Sequence, residues 1–135
     1  LGDVYKRQQI LRDFTKASNT EVVLLRYFNP VGAHPSCLIG ELPLGKPQNL
    51  VPVITQTAIG KLPKMMVYGN DYHTRDGSCI RDYIHVSDIA HAHTLAVDYL
   101  RAGNKHHTCE VFNLGTGNGI TVLEAIHTFE KISGL

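Results

Sequence analysis

The densest chemistry in the chain lies in Arg81-Asp82-Tyr83-Ile84-His85-Val86. A guanidinium can clamp a phosphate through two parallel N–H bonds, and a neighbouring tyrosine adds a flat face and a hydroxyl. The same residues also suit an ordinary surface ion pair from Arg81 to Asp82 or Asp88, and His85 between two aliphatics suits packing more than base chemistry. A second cluster is Tyr27-Phe28-Asn29-Pro30. There the Asn29 amide offers donors and acceptors, and Pro30 stiffens the turn that aims it, although an Asn-Pro pair is also a common turn. The run Gly115-Thr116-Gly117-Asn118-Gly119 invites a dinucleotide reading, but its third glycine comes one residue early and the chain ends before any acidic partner about twenty positions on. This run is expected to be a structural turn near a ligand, without cradling a cofactor. Metal chemistry is not expected from the 8 histidines. His91 and His93 are two apart on a predicted helix and face different ways, and His106-His107 fall in a predicted surface turn. No local Ser/His/Asp or Cys/His nucleophile signature is present.

The elements that must position these groups follow from hydrophobic period. Ile10, Leu11 and Phe14 predict a helix over 8–17, and Glu21–Tyr27 reads as a buried strand. Phe28–Gln48 reads as a long loop, of a length that is usually functional. Asn49 is the expected N-cap of a helix to Ile59, with Val53, Ile54, Thr57 and Ala58 on one face. Met65–Tyr68 predicts a brief strand and Asn70–Asp82 a second polar loop. Ser87 is expected to cap a helix to Arg101 with an inner stripe of Ile89, Ala92, Ala96, Tyr99 and Leu100. Glu110–Leu114 predicts another strand, and Thr121 with Glu124 makes a capping box for a last helix ending at Gly134. This alternation is that of a parallel α/β sheet, in which ligands sit beyond the carboxyl ends of the strands.

Composition narrows the class further. With 13 Lys and Arg against 12 Asp and Glu, the net charge of the 135-residue chain is +1, which excludes a surface built for nucleic acid. An apolar content of 43% excludes a disordered tail, and the run Val22–Leu25 is too short to cross a bilayer. No apolar core follows Lys6-Arg7, so no secretory signal is expected, and three spaced cysteines suggest neither disulfides nor a zinc ribbon. A reducing cytoplasmic setting is expected. Leu1 stands where a methionine starts most chains, so a piece of a longer protein is expected.

Beyond periodicity, Leu25 to Pro35 (LRYFNPVGAHP), Pro47-Gln48-Asn49-Leu50-Val51-Pro52, Tyr68-Gly69-Asn70-Asp71-Tyr72, Asp76-Gly77 and Arg81 to Val86 (RDYIHV) together resemble the UDP-glucose 4-epimerase family of the extended short-chain dehydrogenase/reductase superfamily. The resemblance runs from about Gln9 to Leu135. It implies an NAD(P)-binding Rossmann-like parallel sheet, of which the second half is present, interleaved with parts of a smaller α/β substrate-binding domain. It places Tyr27, Phe28 and Pro30 near the nicotinamide of NAD, and Asn29, Asn49 and Leu50 against a UDP-sugar. Met66 and Tyr68 are placed beside the uracil, and Arg81 on the diphosphate with Tyr83 nearby. The implied reaction interconverts UDP-glucose and UDP-galactose by transient oxidation at C4, in a cytoplasmic homodimer of galactose metabolism with no membrane or nucleic-acid partner. The family's Y-x-x-x-K base pair falls upstream of Gln9, where Leu1–Gln8 match nothing. Residues 1–8 therefore read as a non-native leader, 9–135 as the central part of an enzyme, and the chain alone as inactive. A nucleotide-sugar dehydratase or decarboxylase of the same superfamily, or a non-catalytic nucleotide-sugar-binding module, are the alternatives. Cys37 stands where the family has glycine after His-Pro-Ser, which predicts an altered loop there.

Overall fold

The computed structural model describes residues 2–103 and 108–135, so the turn expected at 104–107, with its two histidines, lies outside the described residues. The elements in chain order are α1 (Gly2–Ala17), β1 (Val22–Tyr27), β2 (Asn29–Val31), α2 (Leu50–Ala58), β3 (Ile80–Arg81), β4 (Tyr83–His85), α3 (Val86–Arg101), β5 (Cys109–Leu114), β6 (Ile120–Thr121) and α4 (Val122–Ser133). They form two units: the chain up to Tyr27 with Ser87–Leu114, and Phe28–Val86 with Gly115–Leu135. The fold is α/β, with parallel pairing in each unit.

In the first unit β1 and β5 pair in parallel, from Val22 opposite Cys109 to Tyr27 opposite Leu114. The aliphatic run that predicts β1 buries Leu24, while Tyr99 of α3 meets Phe112 of β5 edge-on, ring centroids 5.7 Å apart. The inner stripe predicted for α3 is the half-buried face of that helix, with Val86 added at its start. The helix begins one residue before Ser87 because β4 runs directly into it. α1 is longer than the period predicts, starting at Gly2, and its apolar residues Ile10, Leu11 and Phe14 are exposed. Thr15 is the buried residue of α1, and its hydroxyl is turned back onto the Arg12 carbonyl at 2.8 Å. The Arg26 guanidinium is hydrogen-bonded to the Gln8 side chain.

In the second unit β2 pairs in parallel with β4, Asn29 opposite Tyr83, and β3 pairs antiparallel with β6, Arg81 opposite Ile120. β2 lies inside the segment expected to be loop, and Pro30 is accommodated there because a proline can close a short ladder where no N–H is required of it. Ile54 and Ile84 are the buried aliphatics of this unit among the described residues. Met65–Tyr68 is not a strand: no other segment among the described residues pairs with it, and Met66 and Tyr68 stay 54% and 80% exposed. Asn49 is extended at the N-cap of α2, yet its side chain caps nothing. The third helical residue is Pro52, which has no N–H to cap, and the Asn49 amide instead donates to Glu41 Oε1 at 2.9 Å. At the other end of the unit the predicted capping box is complete. The Thr121 hydroxyl accepts the Glu124 N–H, the Glu124 carboxylate accepts the Thr121 N–H, and Gly134 closes α4 in the left-handed region.

Candidate functional site

A cleft of about 890 Å³ opens in the second unit between β2, the start of α2, the segment 62–68 and the strands carrying Arg81 and Tyr83. Asn29, Pro30, Asn49, Leu50, Met66, Tyr68, Arg81 and Tyr83 all line it. The ladder sets the first part of this arrangement, since Asn29 and Tyr83 face one another in register and the Asn29 N–H donates to the Asp82 carbonyl at 3.0 Å. Tyr27 and Phe28 do not line the cleft. Tyr27 ends β1 in the first unit, its ring 6.1 Å from that of His93, which is itself fixed by a 2.8 Å bond between Nδ1 and the Ile89 carbonyl. Phe28 is half exposed and lies against Gly115, where a Cβ would come 2.6 Å from its ring.

Arg81 is one of the cations that line the cleft. The ion pairs among the described residues are Lys16–Asp13 and Arg75–Glu124, so Arg81 belongs to neither, and its Nη1 donates to the adjacent Ile80 carbonyl at 2.8 Å. A guanidinium held this lightly is available to an anion. The cleft also takes in Lys46 and Lys64, two further cations, with Tyr72 and Cys79. Sequence reasoning missed all four. The lysines flank Pro47 and Pro63, and a basic residue beside a rigid turn at a ligand loop is the signal that was there to find. The Tyr72 hydroxyl is held above its ordinary pKa, first by its hydrogen bond to the Cys79 side chain. Burial pushes the Tyr83 hydroxyl up, against the pull of the Arg81 charge.

The loop that delivers Arg81 is tied down by a polar network. Ser78 and Thr121 are fully buried. Asp76 accepts the Ser78 N–H at 2.9 Å and the Ser78 hydroxyl at 2.8 Å, and the Thr121 hydroxyl also donates to it. The Thr121 bond is the chief reason the Asp76 carboxyl lies below the usual carboxylate range. Arg75 reaches the Gly119 carbonyl at 2.7 Å and pairs with Glu124, whose pKa it lowers to about 2 with help from the Thr121 N–H.

The glycine run at 115–119 is the turn that its spacing predicts. Asp82 Oδ1 accepts the Thr116 N–H at 2.9 Å and the Thr116 hydroxyl at 2.8 Å, and Oδ2 accepts the Gly117 N–H at 2.9 Å. The chain's own carboxylate therefore fills the N–H groups that a phosphate would need. His85, weighed as a base, lies with its ring against Gly32. No group of three or more His, Cys, Asp or Glu among the described residues could hold a metal ion, and no helix among them is long and apolar enough to cross a membrane.

Comparison with known proteins adds independent findings. The profile of the NAD dependent epimerase/dehydratase family matches residues 5–115. The UDP-glucose 4-epimerase of Yersinia enterocolitica is 57% identical over 128 residues, 94% of this chain and 37% of that one. That of Bacillus subtilis is 52% identical over the same share of this chain. Among solved structures, a UDP-glucose-4-epimerase from Stenotrophomonas maltophila with bound NAD and formylated UDP-arabinopyranose superposes with a TM-score of 0.91 at 49% identity, over 97% of this chain and 38% of that one. The Bifidobacterium longum enzyme in complex with NAD+ and UDP gives 0.87 at 48% identity, over 96% and 38%. The chain thus spans a little over a third of the length of these relatives.

Proposed function

Because the chain belongs to the NAD dependent epimerase/dehydratase family, we propose that it is the central, UDP-gripping segment of an NAD-dependent enzyme that interconverts UDP-glucose and UDP-galactose. One observation carries this reading. A single cleft gathers Asn29, Asn49, Leu50, Met66, Tyr68, Arg81 and Tyr83, the seven residues expected to hold a UDP-sugar. Their chemistry matches the ligand in parts. Arg81 meets the diphosphate with a guanidinium, Met66 and Tyr68 offer an apolar and an aromatic surface to the uracil, and the two asparagine amides take the polar edges. Such a site concentrates binding energy on the UDP handle and leaves the hexose free to present either face.

For the cofactor, the fit is divided. The glycine turn is closed to a pyrophosphate because Asp82 occupies its N–H groups. Tyr27, Phe28 and Pro30 stay in this reading as the residues that the resemblance assigns to the nicotinamide, and the Tyr27 and Phe28 rings are each half exposed, at 49% and 53%. When bound, NAD supplies the hydride acceptor for oxidation at sugar C4. The contribution of this chain is to hold the UDP moiety and to present those rings. The parent enzyme as a cytoplasmic homodimer of galactose metabolism, with residues 9–135 from its central part, completes the proposal.

Calorimetric titration of UDP into the chain tests it. The wild-type chain binds UDP, and Arg81→Ala weakens binding by about 10- to 100-fold, the worth of a charge-assisted bond to phosphate. Equal affinity of the two overturns the reading. With UDP-galactose and added NAD, the chain alone gives no turnover above buffer.

A further inference from the structure

Asp82 lies between Arg81 and Tyr83 in sequence, yet it is absent from the cleft that both of them line. It works in three directions instead. Its main-chain carbonyl accepts the Asn29 N–H at 3.0 Å, which joins β4 to β2 at the first residue of the ladder. Its carboxylate gathers Thr116 and Gly117 through the three bonds already described. Gly115 is the contact surface between that carboxylate and the Phe28 ring, since a Cβ there would stand 2.5 Å from Asp82 Oδ2 and 2.6 Å from Phe28 Cδ2. Asp82 thus joins Asn29 through its main-chain carbonyl and holds Thr116 and Gly117 through its carboxylate, which lies across Gly115 from the Phe28 ring.

The geometry points to Asp82 as a positioning residue, an internal anion seated in the glycine turn that fixes Asn29 and Arg81 in one frame for the UDP moiety. The inference rests on the UDP-gripping reading above and goes beyond it, because no part of Asp82 touches the cleft. Two successive N–H groups aimed at one carboxylate form the same kind of nest that elsewhere receives phosphate. Here the nest is satisfied from within the chain, so the ligand's phosphates are left to Arg81. Those N–H groups, Thr116 first, hold the Asp82 carboxyl below the ordinary aspartate range, as expected of a carboxylate that stays charged in its seat.

The test is UDP titration into the 135-residue chain, comparing the wild type with Asp82→Ala, Asp82→Asn and Arg81→Ala, each in acetate and in chloride at equal ionic strength. Asp82→Ala empties the seat and lowers UDP affinity about tenfold, and acetate restores part of the loss by entering it. Asp82→Asn keeps the shape but turns an NH2 toward a backbone donor, so it binds weakly and gains nothing from acetate. Arg81→Ala binds weakly in both buffers, because its loss is a direct contact. Amide exchange at Thr116 and Gly117 quickens in both Asp82 variants and slows again in Asp82→Ala when acetate is present. Tight UDP binding by Asp82→Ala overturns the inference while the UDP reading stands. Weak binding by both Asp82 variants with no acetate recovery overturns it too. A wild-type chain that does not bind UDP overturns both.

Discussion

Replacing Thr121 isolates what holds the Arg81 loop to the last helix. Thr121 is fully buried, caps α4 through its hydroxyl at 3.1 Å from the Glu124 nitrogen, and donates to Asp76. Its backbone pairs with Ile80, next to Arg81, across the β3–β6 ladder. Thr121→Ala removes the cap, worth about 1 kcal/mol, and one buried methyl, worth about 0.8 kcal/mol, for a total near 2 kcal/mol. Thr121→Ser keeps the hydroxyl and loses about 0.8 kcal/mol. Thr121→Val keeps the volume and loses the cap, about 1–2 kcal/mol. For a chain of this size, 2 kcal/mol corresponds to a fall of roughly 6–10 °C in melting temperature. Locally, it corresponds to amide exchange about 30-fold faster across the first turn of α4, if that turn opens as a unit. Circular dichroism melts and amide exchange at Val122–Glu124 measure both. Thr121→Val as stable as wild type, with unchanged exchange at Glu124, refutes the reasoning, because the capping box would then hold nothing.

Three further outcomes follow from the same geometry. Glu124 has its pKa lowered to about 2 in the fold against an ordinary 4.5, so its ion pair with Arg75 stabilises fully above pH 4.5 and is lost as pH falls toward 2. Acid denaturation of Glu124→Gln is flatter across that window, and a curve parallel to wild type disproves the assignment. Cys37 sits at φ +59°, the only non-glycine residue in the left-handed region among the described residues. Cys37→Gly relieves about 1–2 kcal/mol of strain and gives back about 0.5–1 in chain entropy, a net gain near 0.5–1 kcal/mol in chemical denaturation; a loss of stability sinks it. Gly77, at φ +80°, faces the Asn70 carbonyl where a Cβ would collide with it. Gly77→Ala therefore costs about 2 kcal/mol or more and loosens UDP binding along with the loop, and wild-type behaviour in both assays counts against that.

What the sequence discloses depends on how local each cause is. The Thr121 and Glu124 box, the Gly134 stop and the α3 stripe are legible because each is written within one or two turns of chain. Asn49 misleads because its capping partner would be the third helical residue, a proline. Met65–Tyr68 has the composition of a strand but no partner for one, and composition does not announce the neighbour. The outward apolar side of α1 defeats the same logic, since period gives a face without saying which way it turns. Of the cleft, Arg81 and Asn29 stand out by residue type, while Asn49, Leu50, Met66 and Tyr68 were reached through resemblance. Within its own loop Asp82 offers nothing more specific than an ordinary surface pair with Arg81. Its real partners lie more than thirty residues away, where no pattern within one loop could point.

Every ladder among the described residues joins positions far apart in sequence, and none of them is a hairpin: Val22 with Cys109, Asn29 with Tyr83, Ile80 with Thr121. Synthesis is vectorial, at roughly 5–20 residues per second, so β1 leaves the ribosome several seconds or more before β5 exists to pair with it. Throughout that interval the edge of Val22–Leu25 that β5 later covers stays open, the kind of aliphatic edge that holding chaperones bind. The closure entropy of so long an intervening chain grows only with its logarithm, so the completed pairing suffers little. Its cost falls on speed, and this chain should depend on its cellular helpers during birth more than after it.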